Sequence, residues 1–236
     1  MAPSRLKITI GAICAALIAG ACLWAFAKTN RAPLSQREIA TQTLAEYVRK
    51  TVKPKSVLIV SNPYSPMSGR SADAYKFQKA GEAGLRKGFG EAVDVKVGFP
   101  KLKPDALRDV SSVFVDPTVT TPLSYLIGDN AIDDLIREHP ECDVLVSLIG
   151  VPANSLPIMS GPKRFAFLLP DFKIVGDPNL VRQAFKSGKV VAAVIAKPGA
   201  AQVQATSGSD YKREFAKGFI LVTPENIDQM LPLLLR

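Results

Sequence analysis

Histidine is almost absent from this sequence of 236 residues, which contains a single one, His139. A Ser-His-Asp triad would have to use it, but its context, "REHPECD", is typical of a surface histidine that ends a helix. Cysteine is nearly as scarce: Cys14 and Cys22 lie in an N-terminal apolar stretch, and Cys142 stands alone in the globular part. This distribution excludes a disulfide within the globular part and a zinc-binding spacing of cysteines.

Motifs for nucleotides and for metals are also missing. The sequence contains no GxGxxG turn and no GK[ST] phosphate loop, which disfavours ordinary dinucleotide and NTPase sites. No two carboxylates have a spacing that suggests a pair for general acid-base catalysis. We therefore predict no catalytic residue, no metal site and no cofactor. The net charge of +9 suits anionic partners, or simply keeps the protein soluble. Since no run of Lys and Arg with interleaved aromatics occurs, we expect no nucleic acid partner.

One long uncharged run is present near the start of the chain. Residues 8–27, "ITIGAICAALIAGACLWAFA", carry no charge, and about 20 helical residues span the roughly 30 Å hydrocarbon core of a membrane. We therefore predict that residues 1–31 form a membrane anchor or signal segment. Three alternatives stay open: an uncleaved signal-anchor, a signal peptide cleaved after the AFA tripeptide ending at Ala27, and a lipoprotein signal ending at Cys22.

The orientation of this predicted anchor is only weakly specified, because basic residues flank the run on both sides. Large domains are translocated largely regardless of such flanking charge. We therefore favour an extracytoplasmic, periplasmic location for the rest of the chain and leave a cytoplasmic orientation open.

Residues 32–53 predict a helix that links the anchor to the following domain. Ser35 as N-cap, with Glu38 three residues later, forms a capping box, and Lys53-Pro54 ends the helix. Apolar residues repeat along it at helical spacing and give one face that packs on the domain.

From residue 54 to 236, strand and helix patterns alternate. Compact apolar runs such as "SVLIV" and "CDVLVSLIG" predict buried strands, and "SSVFVDP" predicts another short one. The segment "SADAYKFQKAGEAGLRKGF" predicts a helix with Ala74 and Phe77 toward the core. Near-continuous apolar strands alternating with helices predict an α/β domain with a single doubly wound, mainly parallel sheet.

Ligands of such sheets bind beyond the carboxyl ends of the strands. This rule selects loops, and it places our predicted ligand-binding residues in the loops after three predicted strands: Ser61, Asn62, Tyr64, Ser65, Arg70, Asp116, Gly150 and Asn154. A purely structural interpretation competes with this one. Asn62-Pro63 is also a turn signal, Ser71 also suits a helix cap, and Asp116 before a proline is also typical of a turn.

The pattern of "KSVLIVSNPYS", "AVDVKVGFP" and "ECDVLVSLIGVP", followed by a strand that ends in Pro-Asp, resembles one lobe of type I periplasmic-binding-protein-like (ABC substrate-binding-like) domains. The similarity extends over about residues 56–197. It implies that Ser61, Asn62 and Tyr64 face a ligand cleft from the first loop, and Gly150, Val151 and Asn154 from a later one. Members of that family clamp solute between two lobes, whereas this chain has room for one sheet.

Together these features predict a membrane-attached, extracytoplasmic α/β module that binds or senses a small polar or anionic ligand or a partner protein. A structural or assembly subunit of an envelope complex, with an envelope protein as partner, is the first alternative. A hydrolase or transferase that uses Ser65 or Ser68 with Asp116 or His139 is the second. The absence of a catalytic constellation favours a protein that is not an enzyme.

Overall fold

A central sheet organises the fold. The computed structural model describes residues 36–67, 72–115, 121–152, 161–200 and 210–235. Six strands in these residues form one sheet in the order β2-β1-β3-β4-β5-β6. Their bounds are β1 Ser56–Val60, β2 Asp94–Gly98, β3 Val144–Ser147, β4 Arg164–Leu168, β5 Val190–Ala196 and β6 Phe219–Val222. The first five run parallel and β6 pairs antiparallel with β5, which confirms the prediction of a mainly parallel sheet.

Helices cover both faces of this sheet. The described helices are α1 over residues 36–52, α2 Ala72–Phe89, α3 Pro104–Arg108, α4 Leu123–Leu126, α5 Ala131–Glu138, α6 Pro178–Lys186, α7 Tyr211–Gly218 and α8 Ile227–Leu234, with 3₁₀ turns at Val110–Ser112 and Phe172–Val175. Alternate residues of β1 point to opposite faces, as a strand requires. Leu58 packs in one cluster with α5, α6 and α8, and Ile59 packs in the other with α1, α2 and α7. The doubly wound arrangement is therefore confirmed.

The α1 helix is part of the core. Ala40, Leu44 and Val48 are fully buried and pack against the same face of the sheet as Ile59. The helix ends at residue 52, as the Lys53-Pro54 signal predicts, and Lys53 takes a left-handed backbone with φ of 52°.

Glycines let α2 approach α1 closely. A Cβ placed on Gly84 would lie 2.1 Å from Oγ1 of Thr41 and 2.3 Å from the backbone carbonyl oxygen of Glu38, and one on Gly88 would lie 2.5 Å from the carbonyl oxygen of Gln42. No side chain fits at such distances, so the sequence "GEAGLRKG" permits a backbone contact that fixes α1 against α2.

Two local predictions are wrong. The segment "SSVFVDP" forms no strand in its described part, since Val110–Ser112 is a 3₁₀ turn capped by the Asp109 side chain and Phe114 is exposed. Ala74 and Phe77 of α2 are also exposed rather than buried in the core. An apolar pattern along the chain does not determine how completely the rest of the fold covers each residue.

None of the helices in the described ranges is both long enough and apolar enough to span a membrane. Residues 8–27, on which the predicted anchor depends, and Ser35, the predicted cap, lie outside those ranges. The membrane segment therefore stays a prediction.

Candidate functional site

The strand order creates a crevice at the carboxyl edge of the sheet. From β1 the chain continues to β2 on one side, whereas from β3 it continues to β4 on the other. The loops after these two adjacent strands thus diverge, and such a switch point is where open α/β sheets bind ligands.

A cavity of about 390 Å³ lies at this switch point. A second cavity of about 190 Å³ adjoins it along α1. We call the two together the crevice; its walls are Gln36, Arg37, Ala40, Asn62, Ala74, Phe77, Gln78, Thr121, Pro122, Leu123, Leu148, Ile149, Leu168, Leu169 and Phe219. Most of these side chains are apolar, with a few polar groups among them, a composition typical of small-molecule sites.

Asn62 both forms a turn and lines the crevice. Its Oδ1 accepts a hydrogen bond of 2.9 Å from the backbone N–H of Tyr64, and its carbonyl oxygen accepts one of 2.9 Å from the N–H of Ser65. These are the bonds of an Asx turn. The turn interpretation of the loop is therefore correct, and the same turn places Asn62 at the wall of the cavity.

Ser61 lies directly behind that turn and is fully buried. Its hydroxyl donates to Oε1 of Glu82 at 3.0 Å and accepts from Nε2 of Gln78 at 2.5 Å. The other carboxylate oxygen of Glu82 pairs with Lys79 at 2.7 Å. The hydroxyl of Ser61 therefore joins the end of β1 to α2.

Substitution of Ser61 by alanine should lower stability, because it leaves buried atoms of Gln78 and Glu82 without their partner. We expect the free energy of unfolding to fall by about 1–2 kcal/mol, as measured by chemical denaturation. Ser112→Ala, at an exposed serine, is the control and should change it by less than about 0.5 kcal/mol. Equal stability of the Ser61 and Ser112 variants would contradict this role.

Tyr64 and Ser65 follow this turn in the loop. The Tyr64 hydroxyl is buried without a hydrogen-bond partner in the described residues, and burial raises the pKa of this phenol. Ser65 is also buried. A buried hydroxyl that lacks a partner is a donor and acceptor which a ligand or a water can satisfy.

Gly150 lies in the loop that follows β3. Its φ of +87° is unfavourable for a side chain, and a Cβ there would lie 2.7 Å from atoms of Thr121. Ser147 holds the turn by donating from Oγ to the Gly150 carbonyl oxygen at 2.6 Å. Gly150 therefore lets the loop after β3 contact Thr121, which lines the crevice.

Three predicted site residues, Arg70, Asp116 and Asn154, lie outside the described residues. Their place in the site therefore stays a prediction.

The structure separates His139 from Ser65, one of the two serines of the predicted hydrolase alternative; the other, Ser68, lies outside the described residues. His139 caps the end of α5, and its Nδ1 lies 3.7 Å from Glu141. That position precedes β3, at the amino edge of the sheet, whereas Ser65 follows β1 at the carboxyl edge. The described residues also contain no cluster of His, Cys, Asp or Glu that suits a metal ion. Cys142 is a free, buried thiol whose pKa is raised by its burial.

Sequence reasoning missed Arg37, the charged residue of the crevice. Arg37 is only 9% exposed. A signal was available, because Arg37, Thr41, Leu44 and Val48 repeat at spacings of four, three and four on the face of α1 that packs on the sheet. An arginine on such an apolar face indicates either an ion pair or a ligand.

Leu169 was also missed, and no local signal marks it. It follows β4 with a left-handed φ of 47°, and its N–H donates to the Val194 carbonyl at 2.8 Å. Non-glycine residues with positive φ are uncommon and concentrate at ligand sites. Leu169 lines both cavities of the crevice.

Comparison with known proteins gives fold similarity alone. No protein-family model matches the chain, and no curated protein matches it significantly. Among solved structures it is similar to a periplasmic solute-binding protein of Actinobacillus succinogenes with bound D-allose (12% identity, 82% of this chain and 61% of that chain, TM-score 0.45). It is also similar to a sugar-binding protein of a Bacillus halodurans ABC transporter (11% identity, 82% of this chain and 64% of that chain, TM-score 0.46). A third similar structure is a sugar substrate-binding protein of Bordetella parapertussis (8% identity, 68% of this chain and 41% of that chain, TM-score 0.43).

These neighbours are of the kind that the sequence resembles, so that prediction is confirmed. The chain spans between 41% and 64% of the length of these three solved structures. Similarity at these TM-scores carries no information about a ligand or an activity.

Proposed function

We propose that this protein is a single-lobe α/β binding module whose crevice takes a small polar or anionic ligand. The observation that carries the proposal is the position of the largely apolar 390 Å³ cavity at the switch point between β1 and β3, with Asn62 and Arg37 in its wall. Cavities of this size and composition, with a few polar groups to orient the ligand, are typical of small-molecule sites.

The described loop residues divide into two roles in this proposal. Asn62 and Tyr64 offer polar groups to a ligand, whereas Ser61, Ser65 and Gly150 hold the loops in place. Asn62 is partly accessible and lines the cavity, and the buried Tyr64 hydroxyl has no hydrogen-bond partner in the described residues. Ser61 is instead hydrogen-bonded to α2, and Gly150 is closed off by Thr121.

Arg70, Asp116 and Asn154 are proposed as further ligand groups on the basis of their positions in the sequence. Arg70 precedes the crevice residue Ala74 by four positions, and Asp116 precedes Thr121 by five. Asn154 follows Gly150 by four.

We further propose that the module is membrane-attached and extracytoplasmic. If residues 8–27 span the bilayer, eight residues, 28–35, separate them from the described start of α1, a distance of at most about 30 Å when extended. Arg37 lies at that end of α1 and lines the crevice. The ligand would then be captured close to the membrane surface.

Ligand screening tests the proposal. We expect a sugar, amino acid or organic anion at millimolar concentration to raise the melting temperature of the purified full chain, since a ligand that binds only the folded state stabilises it. Asn62→Ala should weaken the response about tenfold in apparent affinity, because the loss of one hydrogen bond to a ligand is worth roughly 1–1.5 kcal/mol. Asn179→Ala, at an exposed position on α6, is the matched control.

An assembly role is the second candidate function, and exposed apolar side chains favour it. Phe99, Leu107, Val110 and Phe114 are between 38% and 79% exposed within one stretch of the chain. We propose that they form one patch, because contiguous exposed apolar patches mark protein interfaces. If no ligand class stabilises the chain and an envelope protein co-purifies with it but not with Phe114→Ser, the ligand-binding proposal is wrong and the assembly role is correct.

A further inference from the structure

Arg37 is a buried cation that has no counter-charge among the described residues. One of its terminal nitrogens, Nη2, donates to the Leu148 carbonyl oxygen at 3.2 Å, and its Nε is buried without a partner in the described residues. Burial lowers the pKa of this guanidinium to about 10, and no neighbouring carboxylate contributes to that shift. At neutral pH the group is therefore still charged. A buried charge of this kind is ordinarily paired.

Arg37 is held in a defined position. Its Cζ lies over the Phe77 ring, 4.2 Å from the ring centre, within the distance of a cation–π contact. Gly81 of α2 leaves room for the Arg37 side chain, since a Cβ at this position would lie 2.9 Å from Nε of Arg37. The fork is thus oriented before any ligand arrives, which reduces the ordering entropy lost on binding.

The described walls of the crevice around this fork are mostly apolar and contain no acid. Arg37, Phe77, Leu168 and Leu169 line both of its cavities. The other polar side chains in its walls, such as Asn62 and Gln78, are neutral. The site therefore combines one fixed cation with apolar surface.

We infer that the ligand is a carboxylate with a compact apolar body, an inference that rests on the proposed function. A guanidinium fork matches a carboxylate through two parallel hydrogen bonds, and Arg37 has unused donors for them. The apolar walls and the face of Phe77 would cover the rest of the molecule. A neutral sugar would leave the cation unpaired and place hydroxyls against leucine side chains.

Calorimetric titration of the purified full chain tests this inference with matched probes. Hexanoate and phenylacetate are compared with their neutral amides, with glucose and with inorganic phosphate. We expect each carboxylate to bind about 10- to 100-fold more tightly than its amide, because hydrogen bonds to charged groups are worth about 1.5–3 kcal/mol.

The Arg37→Met variant tests whether Arg37 is the residue that binds the carboxylate. Methionine retains an apolar side chain of similar length, and we expect carboxylate binding to fall to the level of the amides. Arg49→Met changes the same residue type at an exposed position twelve residues farther along α1, about 18 Å away, and should leave binding unchanged. If Arg37→Met does not fold, Arg37→Lys retains the charge without the planar fork and should weaken binding about tenfold.

Each other outcome has a distinct meaning. Glucose binding without carboxylate binding overturns the inference and leaves the proposed function standing. Phosphate binding as tightly as the carboxylates overturns the requirement for an apolar body. Carboxylate binding that persists in Arg37→Met overturns the role of Arg37. Absence of binding by every probe, together with a negative ligand screen, overturns the proposed function itself.

Discussion

Gly84→Ala should destabilise this protein strongly, although alanine is the better helix former. The new Cβ would overlap the Thr41 side chain at 2.1 Å and the Glu38 carbonyl oxygen at 2.3 Å. Because one of these atoms is backbone, no rotamer change relieves the overlap, and we expect the clash to cost about 4 kcal/mol, above the usual range for overpacking. The gain in helix propensity offsets about 1 kcal/mol of this. Chemical denaturation should show a net loss of about 3 kcal/mol.

The neighbouring Ala83→Gly variant is the control, since it makes the opposite exchange of alanine for glycine on the same helix. Ala83 is exposed on the same helix, so this change removes helix propensity alone and should lower the free energy of unfolding by about 1 kcal/mol. A Gly84→Ala variant that is more stable than the parent would show that α1 does not contact α2 as described. The same variant should also weaken ligand binding, because Arg37 is carried by α1.

Gly150→Ala should be the second most damaging change. A side chain at a φ of +87° is strained by about 1–2 kcal/mol, and the new Cβ would lie 2.7 Å from three side-chain atoms of Thr121. Overpacking of this kind adds about 1–3 kcal/mol. We expect thermal and chemical denaturation to show a total loss of about 3 kcal/mol.

The Gly188→Ala variant separates the cost of backbone strain at positive φ from the cost of steric overlap with a neighbouring side chain. Gly188 has a similar φ of +72°, but no atom lies within 4 Å of a Cβ placed there. This variant should therefore lose only the backbone contribution of about 1–2 kcal/mol. Equal losses in the two variants would mean that the contact between Gly150 and Thr121 contributes nothing, and that the crevice wall at Thr121 is not held by the loop after β3.

Most strands could be predicted because their apolar runs are buried on both faces. β1 is apolar after Ser56 and β3 is apolar before Ser147, and every residue of both strands is buried. The run "SSVFVDP" failed because local pattern says nothing about whether a neighbouring strand is present. Where none is, Asp109 caps a 3₁₀ turn and Phe114 remains exposed.

The site was only half predictable for a similar reason. Asn62 and Gly150 follow strands directly, so the rule about carboxyl edges places them next to the crevice without any knowledge of strand order. Arg37 comes from a helix that precedes the first strand, and it reaches the crevice only because α1 packs across the sheet against α2. The helical spacing puts Arg37 on the buried face of α1, but it does not indicate which loops that face meets.

What the sequence determined by itself is therefore local or compositional: the alternation of strands and helices, the parallel sheet that this alternation requires, and the turn at Asn62. Tertiary structure alone decided which of these elements meet. The order of the strands created the switch point, the close approach of α1 and α2 placed Arg37 in it, and Leu169 took its left-handed backbone there. The periodicity of apolar side chains determines structure over a few residues. A site is assembled from residues that are distant in the sequence, and whether those residues meet depends on how the whole core packs.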